Sequence, residues 1–250
     1  MSTSRPKNGH HSSVPNKLDQ DGFQIIPSVL TGSEVETLRT ALSSLQVAPG
    51  HRNLMRHLPE IAALAGSVKI INLLGPGFRP VGSIFFDKTP EANWLVPWHQ
   101  DLSIAVKQRI DLSGYGPWST KDGVPHVQPP VEILAGMVTL RLHLDDCDES
   151  NGPLHVIPGS HRLGRLDAAD IVKSRANQKE VVCTMQAGDA LLMRPLLLHA
   201  SSEASELAHR RVIHLEYATC PLASGLEWAE TPLSTPSEAV LRVGVQNNGK

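Results

Sequence analysis

The segment Trp98-His99-Gln100-Asp101 sets an imidazole and a carboxylate two residues apart. Side chains alternate across a β-strand, so His99 and Asp101 in extended backbone share one face and can close on a single ion. Far along the chain the apolar run Pro195-Leu196-Leu197-Leu198 ends in His199, and an imidazole in so hydrophobic a setting needs a partner. Two imidazoles and one carboxylate gathered on one side of a metal leave its other side open, the arrangement that non-heme Fe(II) oxygenases use. Any one of the 12 histidines, taken alone, reads more simply as a satisfied core or surface residue; it is the joint pattern that points to a metal.

An arginine pair follows at Arg210-Arg211. If the chain turns through Ser201–Ala208 and returns as a strand, one guanidinium re-enters beside His199, where it can hold a dicarboxylate in two-point fashion. Alternation lets only one of the two face inward. Arg210 is preferred, since Val212 and His214 share its face and Ile213, Leu215 and Tyr217 are left to pack on the other.

The elements that must position these groups change character near residue 78. Before it, helices are expected: one starting near Thr31–Ser33, with Ser33-x-x-Glu36 as a capping box and Val35, Leu38, Leu42 and Leu45 at helical spacing, and one opened by Pro59, with Ile61, Leu64, Ile70 and Leu73 facing the core. After it come short β-type runs separated by Gly, Pro, Asn and Asp: Val81–Asp87, Gly136–Leu144, Leu154–Ile157, Val181–Met185, Ala190–Met193 and Val212–Tyr217. Gly22–Ile26 is a further short strand. Many short strands with turns between them imply a sandwich, jelly roll or barrel. The segment Lys121–Pro130 is read as a long polar loop or lid, too rich in proline for a strand.

At 250 residues with 40% apolar content, the chain reads as a polar disordered tail over residues 1–16, His10 and His11 included, and a single domain over residues 17–250. A formal charge of −2 gives no global basic field, so nucleic acid and membrane partners are not expected. Three cysteines without a CxxC pair, and no apolar leader or span, fit a cytoplasmic protein, monomer or homodimer, acting on a small molecule.

The segments PWHQD (97–101), LDDCDESNGPLHVIPGSHR (144–162), GDALLMRPLLLH (188–199) and RRVIHLEYA (210–218) resemble the phytanoyl-CoA dioxygenase family over roughly residues 18–222. The resemblance implies a mainly β fold with flanking α-helices, built on a double-stranded β-helix (an eight-stranded, cupin-like jelly roll). It also implies His99, Asp101 and His199 as catalytic iron ligands, Fe(II), 2-oxoglutarate and O2 as cofactor and co-substrates, and Arg210 as the partner of the distal 2-oxoglutarate carboxylate. Thr139 and Arg141 occupy the strand that lines the co-substrate pocket in the family. Lys88 ends the strand leading to the metal motif and is a further candidate there. A buried Arg141 would need carboxylate partners, with Asp145 or Asp146 available. Pro158–His161 is read as a turn that fixes strand order. The expected reaction is hydroxylation of an unactivated C–H bond of a small metabolite; related halogenases carry a small residue where Asp101 stands. Desaturation or epimerisation at the same site, a cupin-like binding or sensory module without turnover, and zinc chemistry on the same triad remain as alternatives. Lys107, Arg109, Lys121 and Arg141 are the cations available to an anionic substrate.

Overall fold

The computed structural model describes residues 15–45, 48, 50–205 and 209–231. The N-terminal part contains α1 (Pro15–Asp21), β1 (Phe23–Ile26), α2 (Gly32–Leu42), β2 (His51–Arg52), α3 (Leu54–His57), α4 (Pro59–Ala65) and α5 (Val68–Leu74). Then come β3 (Arg79–Lys88), β4 (Val96–His99), β5 (Ile104–Ala105), β6 (Trp118–Lys121), β7 (Val124–Val127), α6 (Val131–Ala135) and β8 (Met137–His143). The chain continues through β9 (Leu154–Val156), α7 (Ala168–Asn177), β10 (Val181–Cys183), β11 (Ala190–Met193), β12 (His199–Ser201) and β13 (Arg210–Ala218).

Antiparallel pairing builds a six-stranded sheet in the order β1-β11-β8-β13-β3-β2, a four-stranded sheet β10-β9-β12-β4 and a three-stranded sheet β5-β7-β6. The first two face one another as a jelly roll, with Phe23, Leu191 and Met193 of one packed against Leu154, Val156 and Cys183 of the other. The outer face of the large sheet is apolar because every second residue is: Leu140, Leu142, Ile213, Leu215 and Tyr217 are fully buried there under α2, α4 and α5. Each such side chain contributes about 1.5–3 kcal/mol of transfer free energy. Tyr217 keeps its hydroxyl satisfied by donating to the Ala65 carbonyl at 3.1 Å.

Four local readings are corrected. The capping box of α2 is Thr31 with Glu34, not Ser33 with Glu36: the Thr31 backbone N–H donates to Glu34 Oε2 at 2.7 Å and Glu34 N–H donates to Thr31 Oγ1 at 3.3 Å. The helix opened by Pro59 is two helices, since Gly66 ends α4 and the Ser67 hydroxyl caps α5. Residues Lys121–Pro130 are not a structureless loop. A hairpin of β6 and β7 turns through Asp122-Gly123, both at positive φ (51° and 75°), the conformation that an Asp-Gly pair favours; Pro125 offers the sheet only its carbonyl, which accepts from Val106 N–H at 3.0 Å. Pro15 and Asn16, assigned to the tail, begin α1; residues 1–14 and 232–250 lie outside the described residues. No helix among the described residues is long and apolar enough to cross a membrane.

Candidate metal centre

β4 and β12 are neighbours, and their register sets His99 directly opposite His199, with ring centroids 4.2 Å apart. Asp101 stands two residues past the end of β4, so the strand itself does not carry it as the alternation argument supposed. The same outcome is reached another way. Gln100 turns to the opposite side, where its Nε2 donates to the carbonyls of Gly164 and Leu196 at 2.8 and 2.7 Å and its Oε1 accepts from Leu166 N–H at 2.8 Å. The Asp101 N–H donates to the Pro195 carbonyl at 2.9 Å. With Gln100 locked outward, His99 and Asp101 fall on the same side.

The ligand atoms of His99, Asp101 and His199 lie within 4.8 Å of one another. Asp101 sits between the rings, 3.7 Å from Nε2 of each. Each histidine donates Nδ1–H to the carbonyl two residues before it, Pro97 and Leu197, at 2.8 Å, which fixes the tautomer and turns the Nε2 lone pair toward Asp101. Burial pushes His199 down to about 4, so it stays neutral and able to ligate. Burial alone would raise Asp101, but His199, His214, His99 and Arg141 hold it below its ordinary value. Its Oδ2 is buried without a hydrogen-bond partner among the described residues. A buried carboxylate oxygen and two imidazole lone pairs aimed at one point fit a divalent cation.

The triad opens on a cavity of about 330 Å³ between the sheets. β13 lines it through Arg210, His214 and Glu216, and β8 through Arg141. Arg210 is 4% exposed and donates to the Gly152 carbonyl, while its Nε has no partner among the described residues. Arg141 donates Nη1–H to His214 Nδ1 at 3.0 Å; its Nε is likewise orphaned, and burial followed by Arg210 lowers it to about 10. Because an arginine can only donate, His214 accepts at Nδ1, and in its neutral form it carries its proton on Nε2. Neither Asp145 nor Asp146 serves Arg141. Asp145 receives Arg211 and Arg39, and Asp146 accepts from Ala187 N–H. Arg211 therefore faces away from the cavity.

Two further candidates fall outside the lining. Thr139 is buried one pair along from Arg141, opposite Glu216 and Met193. Lys88 is fully buried beside Arg210 in the strand register, with Nζ bonded to Ser201 Oγ at 3.3 Å and to the Ser202 carbonyl. Burial, then Arg210, takes Lys88 down to about 7. Lys107 and Arg109 are surface residues paired with Glu227 and Asp111; Lys121 and Arg141 do line the cavity. The residues that sequence reasoning missed are Gln100, His126, Arg52, Glu216 and Glu230. For Glu216 a signal was available, since it shares the parity of Arg210 on β13.

The match to a family model described as phytanoyl-CoA dioxygenase spans residues 18–212. An ectoine dioxygenase of Nocardia farcinica (strain IFM 10152) is 25% identical over 174 residues, 61% of this chain and 51% of that protein, so the chain spans about half the length of this curated relative. Among solved structures, the non-heme alpha-ketoglutarate-dependent carbocyclase SnoK from nogalamycin biosynthesis superposes with a TM-score of 0.64 at 18% identity, over 94% of this chain and 91% of that one. EctD from S. alaskensis, solved with 2-oxoglutarate and 5-hydroxyectoine, gives 0.64 at 18% identity over 84% and 78%. HygX from Streptomyces hygroscopicus, solved with nickel and 2-oxoglutarate, gives 0.57 at 21% identity over 80% and 84%. At these identities the likeness is one of fold.

Proposed function

Because the chain belongs to the phytanoyl-CoA dioxygenase family, we propose that it is a non-heme Fe(II)- and 2-oxoglutarate-dependent dioxygenase that hydroxylates an unactivated C–H bond of a small metabolite. His99, Asp101 and His199 would hold the iron, and Arg210 with Arg141 would receive the 2-oxoglutarate carboxylates. The chemistry such a centre supplies is oxidative decarboxylation of 2-oxoglutarate to succinate and carbon dioxide, coupled to oxidation of the substrate.

The chain's own part is binding, orientation and exclusion of water. The Pro97 and Leu197 carbonyls orient the two rings. The orphaned Nε atoms of Arg141 and Arg210 are the single observation that carries the co-substrate assignment: two buried guanidinium groups with no ion-pair partner among the described residues call for an anionic ligand. Lys88 stands beside Arg210 without lining the cavity, and burial with Arg210 lowers it to about 7. The β6–β7 hairpin contributes Lys121 and His126 to the cavity wall. Hydroxylation is preferred over the outcomes named for a carbocyclase and an epimerase among the neighbours, since the intact carboxylate at Asp101 is compatible with all three and hydroxylation asks nothing further of the site.

The test is direct. Fe(II) and 2-oxoglutarate are added anaerobically and the weak visible charge-transfer band of the chelate is sought, after which succinate release is followed in air against a metabolite panel. A band followed by substrate-dependent succinate and a hydroxylated product is expected. No 2-oxoglutarate-dependent band would overturn the reading.

A further inference from the structure

The cavity has a second polar end that the proposed reaction leaves unused. Glu216 stands six residues beyond Arg210 on β13, about 20 Å along an extended strand, and thus at the other end of the cavity from the arginine. Its carboxylate lies against Gly82 of the neighbouring strand, where a Cβ would come within 2.1 Å of Oε2. The missing side chain of Gly82 is therefore what lets the carboxylate lie over the sheet. His214 Nε2 is 3.8 Å away from Oε1. Glu230 enters the same space, with both its oxygens on the Ser83 hydroxyl at 2.9 and 2.7 Å, and burial raises it.

Facing these carboxylates are cations from the β6–β7 hairpin and β2. Lys121 donates to Ser103 Oγ at 3.0 Å and has no ion-pair partner among the described residues. Its charge feels Arg52 on one side and Asp101 and Glu216 on the other. His126, 7% exposed, gives Nδ1 to the Val124 carbonyl at 2.9 Å, so that Nε2 remains unpartnered among the described residues in the cavity wall. This end thus offers charge of both signs. The whole cavity, at about 330 Å³, is near the lower limit for ligand sites, and 2-oxoglutarate must share it, which leaves no room to bury an acyl-thioester arm.

We propose that this end selects a small metabolite carrying a cationic nitrogen and an anionic group, the nitrogen held between Glu216 and Glu230 and the anion by Lys121. The inference rests on the dioxygenase reading for the place of the co-substrate, and it names the substrate class of that same site. Glu216 is its specificity-determining residue.

Binding of L-ornithine, L-proline, glycine betaine, pyrrolidine, hexanoate and hexanoyl-CoA is measured calorimetrically under argon, with and without Mn(II) and 2-oxoglutarate. At least one probe with a charged nitrogen is expected to bind, and Glu216→Gln should weaken it about tenfold, the value of one charge-assisted hydrogen bond. Gly82→Ala reaches the same result by displacing the carboxylate rather than removing it. Lys121→Met should weaken the probes that carry a carboxylate and leave pyrrolidine unchanged. Tighter binding of hexanoate or hexanoyl-CoA, failure of every charged-nitrogen probe, or indifference to Glu216→Gln and Gly82→Ala together would overturn the inference. Failure of 2-oxoglutarate to bind the Mn(II) protein would instead overturn the proposed reaction, with the metal-free titrations still judging this one.

Discussion

Two hydrogen bonds from ring nitrogens to the Pro97 and Leu197 carbonyls decide which nitrogen of each histidine faces Asp101. Asp101→Ala removes the carboxylate from between them. It should weaken Fe(II) binding by about a hundredfold or more and abolish succinate release; retained turnover would show that the ligand assignment is wrong. Arg210→Ala should raise the 2-oxoglutarate concentration needed for half-saturation by about tenfold or more with metal affinity unchanged, whereas Arg211→Ala, by freeing Asp145, should cost less than about 1 kcal/mol of stability and leave co-substrate binding alone. The opposite ranking in a titration would mean the strand register is off by one. At this scale the convergence of His99, Asp101 and His199 and the inward face of Arg210 were legible, the latter because strand parity relates Arg210 to His214. The reason that His99 and Asp101 share a side was not, since the Gln100 hydrogen bonds rather than strand alternation set it. Glu230 and His126 were not legible. One lies beyond the last strand and the other in a proline-rich stretch, so no periodicity assigns either a face.

Elements were legible where one period dominates, as in β8 and β13, and misread where two signals compete. Thr31-x-x-Glu34 and Ser33-x-x-Glu36 overlap, and pattern alone cannot rank them. Lys69 decides: its Nζ donates to Glu34 at 2.7 and 2.8 Å, and Lys69 with the Thr31 backbone draws Glu34 down to about 2. Thr31→Ala should therefore destabilise the protein by about 1 kcal/mol in urea unfolding, and Ser33→Ala by clearly less. Equal losses would return the cap to Ser33. The hairpin of β6 and β7 was hidden by its prolines, although Asp122-Gly123 was the signal that should have outweighed them.

For the molecule as a whole, the jelly roll was legible in outline, since many short strands with turn residues between them admit few other architectures; the three-sheet division was not, because it depends on pairings between distant segments. The buried histidines make stability depend on pH. His199 drops from 6.5 to about 4 and His143 falls well below 6.5, both chiefly through burial. A folded state that keeps them neutral binds fewer protons than the unfolded chain, so the histidine contribution is complete above pH 6.5 and stability declines as pH falls toward 4. His126 and His161 are lowered by burial as well; Glu230, raised by burial, works in the opposite direction, one group against four. Metal-free protein should show its urea midpoint falling across that window, and a flat or rising midpoint would contradict the assignment. The pairing of His99 with His199 has a mechanical corollary as well. An ion seated there fastens two points roughly a hundred residues apart into a closed ring, a reversible staple whose gain in heat resistance grows with the free metal concentration.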